Sequence, residues 1–425
     1  MADQTIPQKY LSDHLFLLVG TNPLPNLVAA KLLLKPQGQL YLVHSSATQS
    51  VANQLARYWE EVEREKQPQF VTVEESDGAD IRRKLQEVLR KISNGQIGLN
   101  YTGGTKMMAV HACRVALIDD QGLRKQPFIL SYLNARNNTM YIENIDEQPF
   151  VSKSLLNAVK PSLRDIIKLH GNWIDPSIAD QIKEKLFQLA QALIVTHRSK
   201  EGVNAWRNWC KDVLRKRART KNDNRWDSDK LLKDVKLPLP EDECLGGVVK
   251  EMQNLFDVRD GELLLGSSSQ RVGLTSPQDL CQWLDGAWLE EYVFSCIKQV
   301  QQQHPDSQIH DVGMGITPRN ENREPKYEVD IGVMQGYRLY AISCTTDDEA
   351  GMCKLKLFEA YIRARNMAGD EAFVALVCMV EKPEKLEQQV VRSWDVEGKV
   401  RVFGRPHLAD LTKDLADWFI NAASH

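Results

Sequence analysis

From Leu15 to Phe150 the chain alternates short apolar runs with stretches whose apolar residues recur at helical spacing. The runs are Leu15–Val19, Leu40–Val43, Phe70–Val73, Ile97–Tyr101, Phe128–Leu133 and Met140–Ile142, and the helical patterns are Leu27–Leu34, Ala52–Val62, Ile81–Ile92 and Met107–Ala116. A strand buried on both faces reads as a continuous apolar run, and a helix covering it reads with a period of about 3.6 residues. Their alternation predicts a parallel α/β sheet. Ligands of such open sheets lie outside the carboxyl ends of the strands. Three polar loops fall there: Thr21-Asn22-Pro23, His44-Ser45-Ser46 and Thr102-Gly103-Gly104-Thr105-Lys106.

The third loop is the richest in chemistry. Gly103 and Gly104 allow close backbone approach and positive φ, the amides opening the next helix point at negative charge, and Lys106 adds a full cation. That combination suits an anion or a nucleotide, although an ordinary strand-to-helix turn also uses paired glycines. The spacing is not that of a P-loop, which excludes an ATPase of that class.

At 425 residues the chain is long enough for two or three domains with cores of their own. A net charge of -3 gives no global attraction to nucleic acid or membrane, so any polyanion must meet a local patch. Eight cysteines without a Cys-x-x-Cys pair argue against a disulfide scaffold and a zinc site. With no apolar leader at the amino terminus and no span-length apolar segment, the expectation is a cytoplasmic protein without a membrane partner.

Composition shifts divide the chain at 1–151, 152–277 and 278–425. The middle stretch is helix-rich and carries Trp206-Arg207-Asn208-Trp209 followed by the basic run Arg215–Lys221. Cations interleaved with Trp206, Trp209 and Trp226 could grip single-stranded nucleic acid; a solvated helix face with its tryptophans in the core is the simpler account. From Gln278 a second α/β unit is expected, with helix Leu284–Val300, strand Tyr327–Val333, a turn at Met334-Gln335-Gly336, strand Arg338–Cys344, helix Lys354–Arg365 and strand Phe373–Val380.

Within that unit Glu328 and Asp330 stand two apart on a strand and so share a face. The next strand offers Ser343 and Thr345 on one face, with Asp347 beyond them, and Trp288-Leu289-Glu290-Glu291-Tyr292-Val293 places two carboxylates on a helix. Carboxylates converging from a helix and a strand are what a Mg²⁺ or Mn²⁺ site for phosphodiester hydrolysis requires.

Two groups of motifs carry a family resemblance that covers most of the chain. Thr21–Asn26, Thr102–Met108 and Tyr132–Asn137 resemble a CARF domain, the CRISPR-associated Rossmann-like sensor of cyclic oligoadenylate. Trp288–Val293, Glu328-Val329-Asp330-Ile331 and Ile342–Thr346 resemble the restriction-endonuclease-like PD-(D/E)XK nuclease of the Can and Card effectors. The resemblance implies a type III CRISPR ancillary effector: residues 1–151 as CARF sensor, 152–277 as helical linker or insert, 278–425 as nuclease-like domain. It further implies a homodimer that clasps a cyclic oligoadenylate, the tetramer above all, and acts on DNA or RNA. On that analogy Thr21, Asn22, Ser45, Ser46, Thr102, Gly103, Gly104, Thr105, Lys106, Asn134 and Arg136 contact the ring.

The second catalytic strand departs from the family pattern of apolar-Glu-Cys-Lys-Thr, because this chain reads Ile342-Ser343-Cys344-Thr345-Thr346. A serine brings no charge to a divalent cation, and a threonine does not polarise water as an ammonium does. The expected active constellation is therefore Glu291 and Asp330 on the metal, Ser343 and Thr345 positioning water or phosphate, and Lys354 or Lys356 stabilising charge, with Asp347 as another source of a carboxylate. Two other functions stay open on the same residues: a nuclease fold that no longer cleaves and serves as a ring-gated binding module, and a sensor that itself degrades the ring through Lys106.

Overall fold

The computed structural model describes residues 6–63, 66–118, 128–144, 149–152, 155–173, 184–220, 225–394, 396 and 398–424. The first unit runs β1 (Ser12–Leu18), α1 (Leu24–Leu33), β2 (Leu34–His44), α2 (Gln49–Glu61), β3 (Gln69–Thr72), α3 (Gly78–Leu89), β4 (Ile97–Asn100), α4 (Lys106–Leu117), β5 (Ile129–Asn134), β6 (Thr139–Asn144) and β7 (Phe150–Ser152). These strands form one sheet in the order β3-β2-β1-β4-β5-β6-β7. The first five are mutually parallel, as the alternation predicts. Strands β6 and β7 run antiparallel, because the short turn between β5 and β6, with Asn138 at φ 52°, leaves no room for a crossover helix.

Both faces of the sheet are covered. Leu27 and Val28 of α1 and Ala52 and Leu55 of α2 cover one side, and Ile81 and Leu85 of α3 with Met108 and Ala112 of α4 cover the other. Local chemistry fixes the helix starts: Asp77 caps α3 by accepting from the amides of Ala79 and Asp80, and Thr105 caps α4 by accepting from Met108.

The second sheet consists of β11 (Ile309–Ile316), β12 (Val329–Gln335), β13 (Arg338–Cys344), β14 (Phe373–Val377) and β15 (Val400–Phe403), hydrogen-bonded in that order. Its first two pairings are antiparallel and its last two parallel. The helices of this unit are α9 (Trp288–Gln303), α10 (Ala350–Ala368), α11 (Pro383–Trp394) and α12 (Leu411–Ser424). Strands β11 and β15 lie outside the expected set, and α9 begins later than expected because a π-turn, Trp283–Ala287, precedes it.

The stretch between the sheets contains α5 (Leu163–Leu169), α6 (Phe187–His197), α7 (Lys200–Trp209), α8 (Gly246–Leu255) and a small antiparallel sheet of β8 (Lys236–Pro238), β9 (Val258–Arg259) and β10 (Glu262–Leu264). Its apolar residues do not form a separate core. Leu189, Trp206, Trp209 and Leu237 share one cluster with Trp288, Phe294, Ile331 and Ile342 of the second sheet's unit. Leu163, Ile166 and Ile167 of α5 join a different cluster, which runs from Leu15 and Leu27 of the first unit to Leu339, Leu357 and Ala364 of the second.

The π-turn after α7 (Cys210–Leu214) leads into the short helix Arg215–Ala218. Trp206 and Trp209 stack with ring centroids 4.8 Å apart and are buried. Arg215 and Arg219 both bind Asp285, at 2.8 and 2.7 Å, and Arg219 lies over the ring of Trp226. The basic run is thus largely consumed by internal pairing, and its first two tryptophans are not surfaces for bases. Lys221 lies outside the described residues.

The β12–β13 turn packs closely against the stretch that follows β7. Gly336 has φ 57°, and a Cβ there would lie 2.5 Å from the Cα and carbonyl oxygen of Leu156. Substitution G336A meets both a disfavoured backbone angle and a backbone wall. We expect it to destabilise the protein by about 1–3 kcal/mol. A thermal midpoint equal to that of the wild type would refute this close approach.

Candidate functional site

Strands β1, β2, β4 and β5 are parallel neighbours, so their carboxyl ends share one edge of the first sheet, and all the expected ring-contact residues lie on it. The edge is tightly built. Gly103 passes so close to the carbonyl of Leu18 that no Cβ fits, and Gly104 sits at φ 74°. Asn26, buried in α1, donates to the same Leu18 carbonyl at 2.9 Å. Asn100, at the end of β4, donates to Ser131 at 3.1 Å and accepts from the amide of Thr102 at 3.3 Å.

Several expected contacts are spent on this construction. The hydroxyl of Thr102 accepts from the amide of Leu133 at 2.8 Å, Thr105 caps α4, and buried Ser45 pairs with Thr48. Asn134 accepts from the amide of Arg136 at 3.1 Å. Asn22 accepts from Leu24 at 3.0 Å and donates to the carbonyl of Ala368 at 3.3 Å, across to the second unit. Thr21, Ser46, Lys106 and Arg136 remain exposed at the rim. Asn26, Asn100 and Ser131 are supporting residues that sequence reasoning did not single out. Their signal was a polar side chain inside an apolar run, which asks for a buried hydrogen-bond partner.

The second site lies where β12, β13 and α9 meet. Asp330 on β12 accepts from the hydroxyl of Ser343 at 3.0 Å and from the amide of Cys344 at 2.7 Å. Antiparallel pairing of Ile331 with Ile342 sets this register. The helix carboxylate that feels the charge of Asp330 is Glu290. Burial first, then repulsion from Asp330, Glu328 and Glu291, pushes its acid strength down to a pKa of about 8, against attraction from Lys356.

The assignment of Glu291 to this site is corrected by the geometry. Its buried carboxylate accepts from the indole of Trp283 at 3.0 Å, within the core around α9. Adjacent residues on a helix differ by about 100° in direction, so only one of the two can face β12. Thr345 lies beyond the end of β13, and its hydroxyl accepts from the amide of Asp347 rather than joining Asp330. The carbonyl of Asp347 in turn accepts from Met379, which ties the loop to β14. Lys354 and Lys356 both lie in the first turns of α10, and Lys356 acts on Glu290.

Among the described residues no three His, Cys, Asp or Glu side chains form a ready metal cage. Two hard carboxylates close enough to repel one another are nevertheless a donor set that Mg²⁺ or Mn²⁺ uses, completing its shell with water and phosphate oxygens. The mutual repulsion at Glu290 is what a cation would relieve, so these residues fit a divalent metal of that kind.

A sensor-type sheet edge joined to a unit that brings a strand carboxylate and a helix carboxylate into electrostatic contact defines a two-unit CARF–endonuclease protein. The chain belongs to the Card1 family: residues 15–157 match the Card1 CARF domain, and residues 278–422 match the Card1-like endonuclease domain. Its fold is similar to that of protein VC1899 from Vibrio cholerae, with a TM-score of 0.71 at 13% identity, covering 97% of this chain and 99% of that one. It is also similar to Can2 from Sulfobacillus thermosulfidooxidans, whose structure is in complex with cyclic tetra-adenylate. There the TM-score is 0.66 at 16% identity, covering 96% of this chain and 99% of that one. No curated protein matches the chain by sequence. Among the described residues no helix is long and apolar enough to cross a membrane.

The state of Glu290 gives a pH test. Its folded pKa of about 8 lies above its ordinary 4.5, so its contribution to stability is present at low pH and is lost as pH rises through that interval. E290Q removes the charge. At about pH 9 the variant is expected to melt above the wild type, and at about pH 4 the two should coincide. A wild type that is the more stable protein at the higher pH would contradict this environment for Glu290.

Proposed function

We propose that this chain is a metal-dependent nuclease switched on by cyclic oligoadenylate, with cyclic tetra-adenylate as the ring, a homodimer as the working unit, and DNA or RNA as substrate. The observation that carries this reading is the Glu290–Asp330 pair, with Lys356 beside it, in the endonuclease domain of a chain that also has a sensor edge. Residues 1–151 act as the sensor and 278–425 as the nuclease, and 152–277 braces the nuclease sheet through their common core.

At the sensor edge, the rim groups Thr21, Ser46, Lys106 and Arg136 and the close-lying backbone of Gly103 and Gly104 meet the phosphates. Ser45, Thr102, Thr105 and Asn134 hold that backbone in shape. Backbone amides and a few cations suffice for phosphate, which agrees with a chain of small net charge.

In the nuclease, Glu290 and Asp330 hold Mg²⁺ or Mn²⁺. Such a cation, when bound, polarises a phosphodiester and makes its water more acidic. Ser343 and the amide of Cys344 both hold one oxygen of Asp330 and leave the other for the metal. Lys356 supplies, from helix α10, the positive charge that Thr345 lacks on the strand; it offsets the negative charge that develops on the phosphate.

Supercoiled DNA, single-stranded DNA and RNA incubated with Mn²⁺, with and without cyclic tetra-adenylate, provide the test. Cleavage is expected only with the ring. D330N and E290Q are expected to lower it about a hundredfold or more, as the loss of several kcal/mol of charge stabilisation requires. Ring binding without cleavage of any substrate would instead make the chain a ring-gated binding module, and metal-free loss of the ring would move the chemistry to Lys106.

Dimerisation is supported by two exposed apolar stripes. Met107, Val110 and Leu117 lie on α4, which starts at the ring loop, and Met352, Leu355, Phe358 and Ile362 lie on α10. Exposed stripes of this kind mark association surfaces. V110E, placed at the most exposed of them, is expected to weaken the dimer by about tenfold or more in light scattering, the effect of burying an unpaired charge. An unchanged mass would remove α4 from the interface.

A further inference from the structure

We infer that Arg338 and the Asn22–Ala368 contact are the positioning links through which ring binding reaches the nuclease carboxylates. This inference rests on the function proposed above and names its route of regulation.

The first link is a buried arginine at the start of β13. One terminal nitrogen of Arg338 donates to the carbonyls of Ala135 at 3.0 Å and Arg136 at 2.7 Å, and the other donates to the carbonyl of Ala422 at 2.6 Å. Its side chain is fully buried, and no carboxylate pairs with it among the described residues. A buried guanidinium that lies over the Phe373 ring and spends its terminal nitrogens on three carbonyls is costly to place, and it is sensitive to where those carbonyls stand. Two of the three belong to the turn that carries Asn134 and Arg136 at the sensor rim. The far end of the same strand is Ser343 and Cys344, the two donors that hold Asp330. Five residues of strand, about 17 Å, separate the two ends.

The second link is at the end of α10. Asn22, in the first polar loop of the sensor edge, donates to the carbonyl of Ala368, the last residue of this 19-residue helix. Gly369, at φ 75°, turns the chain away there, and a Cβ at that position would collide with the Asn22 amide. Leu24 holds the other side of that amide. Lys356, the cation that acts on Glu290, lies twelve residues back along the same helix, about 18 Å from that end.

Two rigid elements thus run from loops of the sensor edge to the acidic site, one to the donors of Asp330 and the other to Lys356. A ring that draws these loops together displaces the near ends of β13 and α10, and neither element can absorb the shift internally. The spacing of Asp330 from Glu290 and Lys356 changes as a result. Coupling of this type is a free energy that both sites bias, and it is measured by whether binding and response separate.

The experiment uses the full-length protein, with R338Q, R338K and G369A as variants. Calorimetry measures cyclic tetra-adenylate binding, and hydrogen exchange at amides 343–356 with the ring present or absent measures the response; neither depends on cleavage. The wild type is expected to bind the ring and change exchange in that segment by about tenfold, the size of a typical coupling. R338Q and G369A are expected to keep ring affinity within about threefold while losing most of the exchange response and of the ring-dependent cleavage. R338K keeps the charge but reaches fewer carbonyls and is expected to fall between.

Folded variants with a wild-type response would overturn the coupling and leave the proposed nuclease intact. A wild type that binds the ring without any exchange change in 343–356 would do the same. An exchange response that is lost in the variants, in a protein that cuts nothing, would retain the coupling and remove the nuclease. If R338Q does not fold, G369A still decides, because it perturbs the other element. No heat of ring binding in the wild type would remove the sensor and the coupling together.

Discussion

The fixed relation between the two halves of this protein depends on one continuous apolar core. It begins at Leu15 and Leu27 in the sensor, passes through Ile166 and Ile167 of α5, and ends at Leu339, Leu357 and Ala364 of the nuclease. Each fully buried leucine or isoleucine in it contributes about 1.5–3 kcal/mol, whereas a single hydrogen bond across the junction contributes about 1 kcal/mol. Burial therefore decides that the sheets stay joined. The polar contacts of Asn22 and Arg338 decide something else, the register in which they are joined, because leaving a buried guanidinium without its carbonyls costs more than the bonds themselves gain.

The acidic site follows a similar division. Asp330 has two donors supplied by the neighbouring strand, so its position is set by sheet geometry. Glu290 comes from a helix and meets like charges from the strand, with only Lys356 in opposition. Such a pair is poorly satisfied as it stands, a condition that structural carboxylates rarely keep and that functional ones often do. Its neighbour Glu291 is the contrast: more deeply buried, it accepts a hydrogen bond from the indole N–H of Trp283 within the core.

How far the sequence was readable follows from these same residues. The parallel strands of the sensor were legible because each is buried on both sides and reads as an unbroken apolar run; the antiparallel β6 was not separated from them, since direction is set by the length of the connection and not by the strand, and the three-residue β7 is too short to show a run. In the nuclease, β12, β13, β14 and α10 were legible for the same reason, whereas β11, with glycine and aspartate in it, and the short β15 have no such run. The choice between Glu290 and Glu291 could not be made from spacing. Apolar residues surround α9 on nearly every side, so the helix has no single polar face to which either carboxylate could be assigned. The two donors to Asp330 divide in the same way: Ser343 is visible in the sequence, and the amide of Cys344, a backbone group, is not.

The sensor edge shows why a list of polar residues overstates what touches a ligand. Of the hydroxyl and amide side chains expected there, Ser45, Thr102, Thr105 and Asn134 already bond the backbone, and Asn22 reaches into the second unit. Their consumption is what makes the site: a loop with two glycines, pressed against Leu18, has no side-chain volume to hold it open and would collapse or wander without those bonds. Preorganisation of that sort lowers the ordering cost of binding and leaves the amides aimed outward. It also means that a ligand pressing on the edge pushes against a stiff frame, whose yielding directions are the two it shares with β13 and α10.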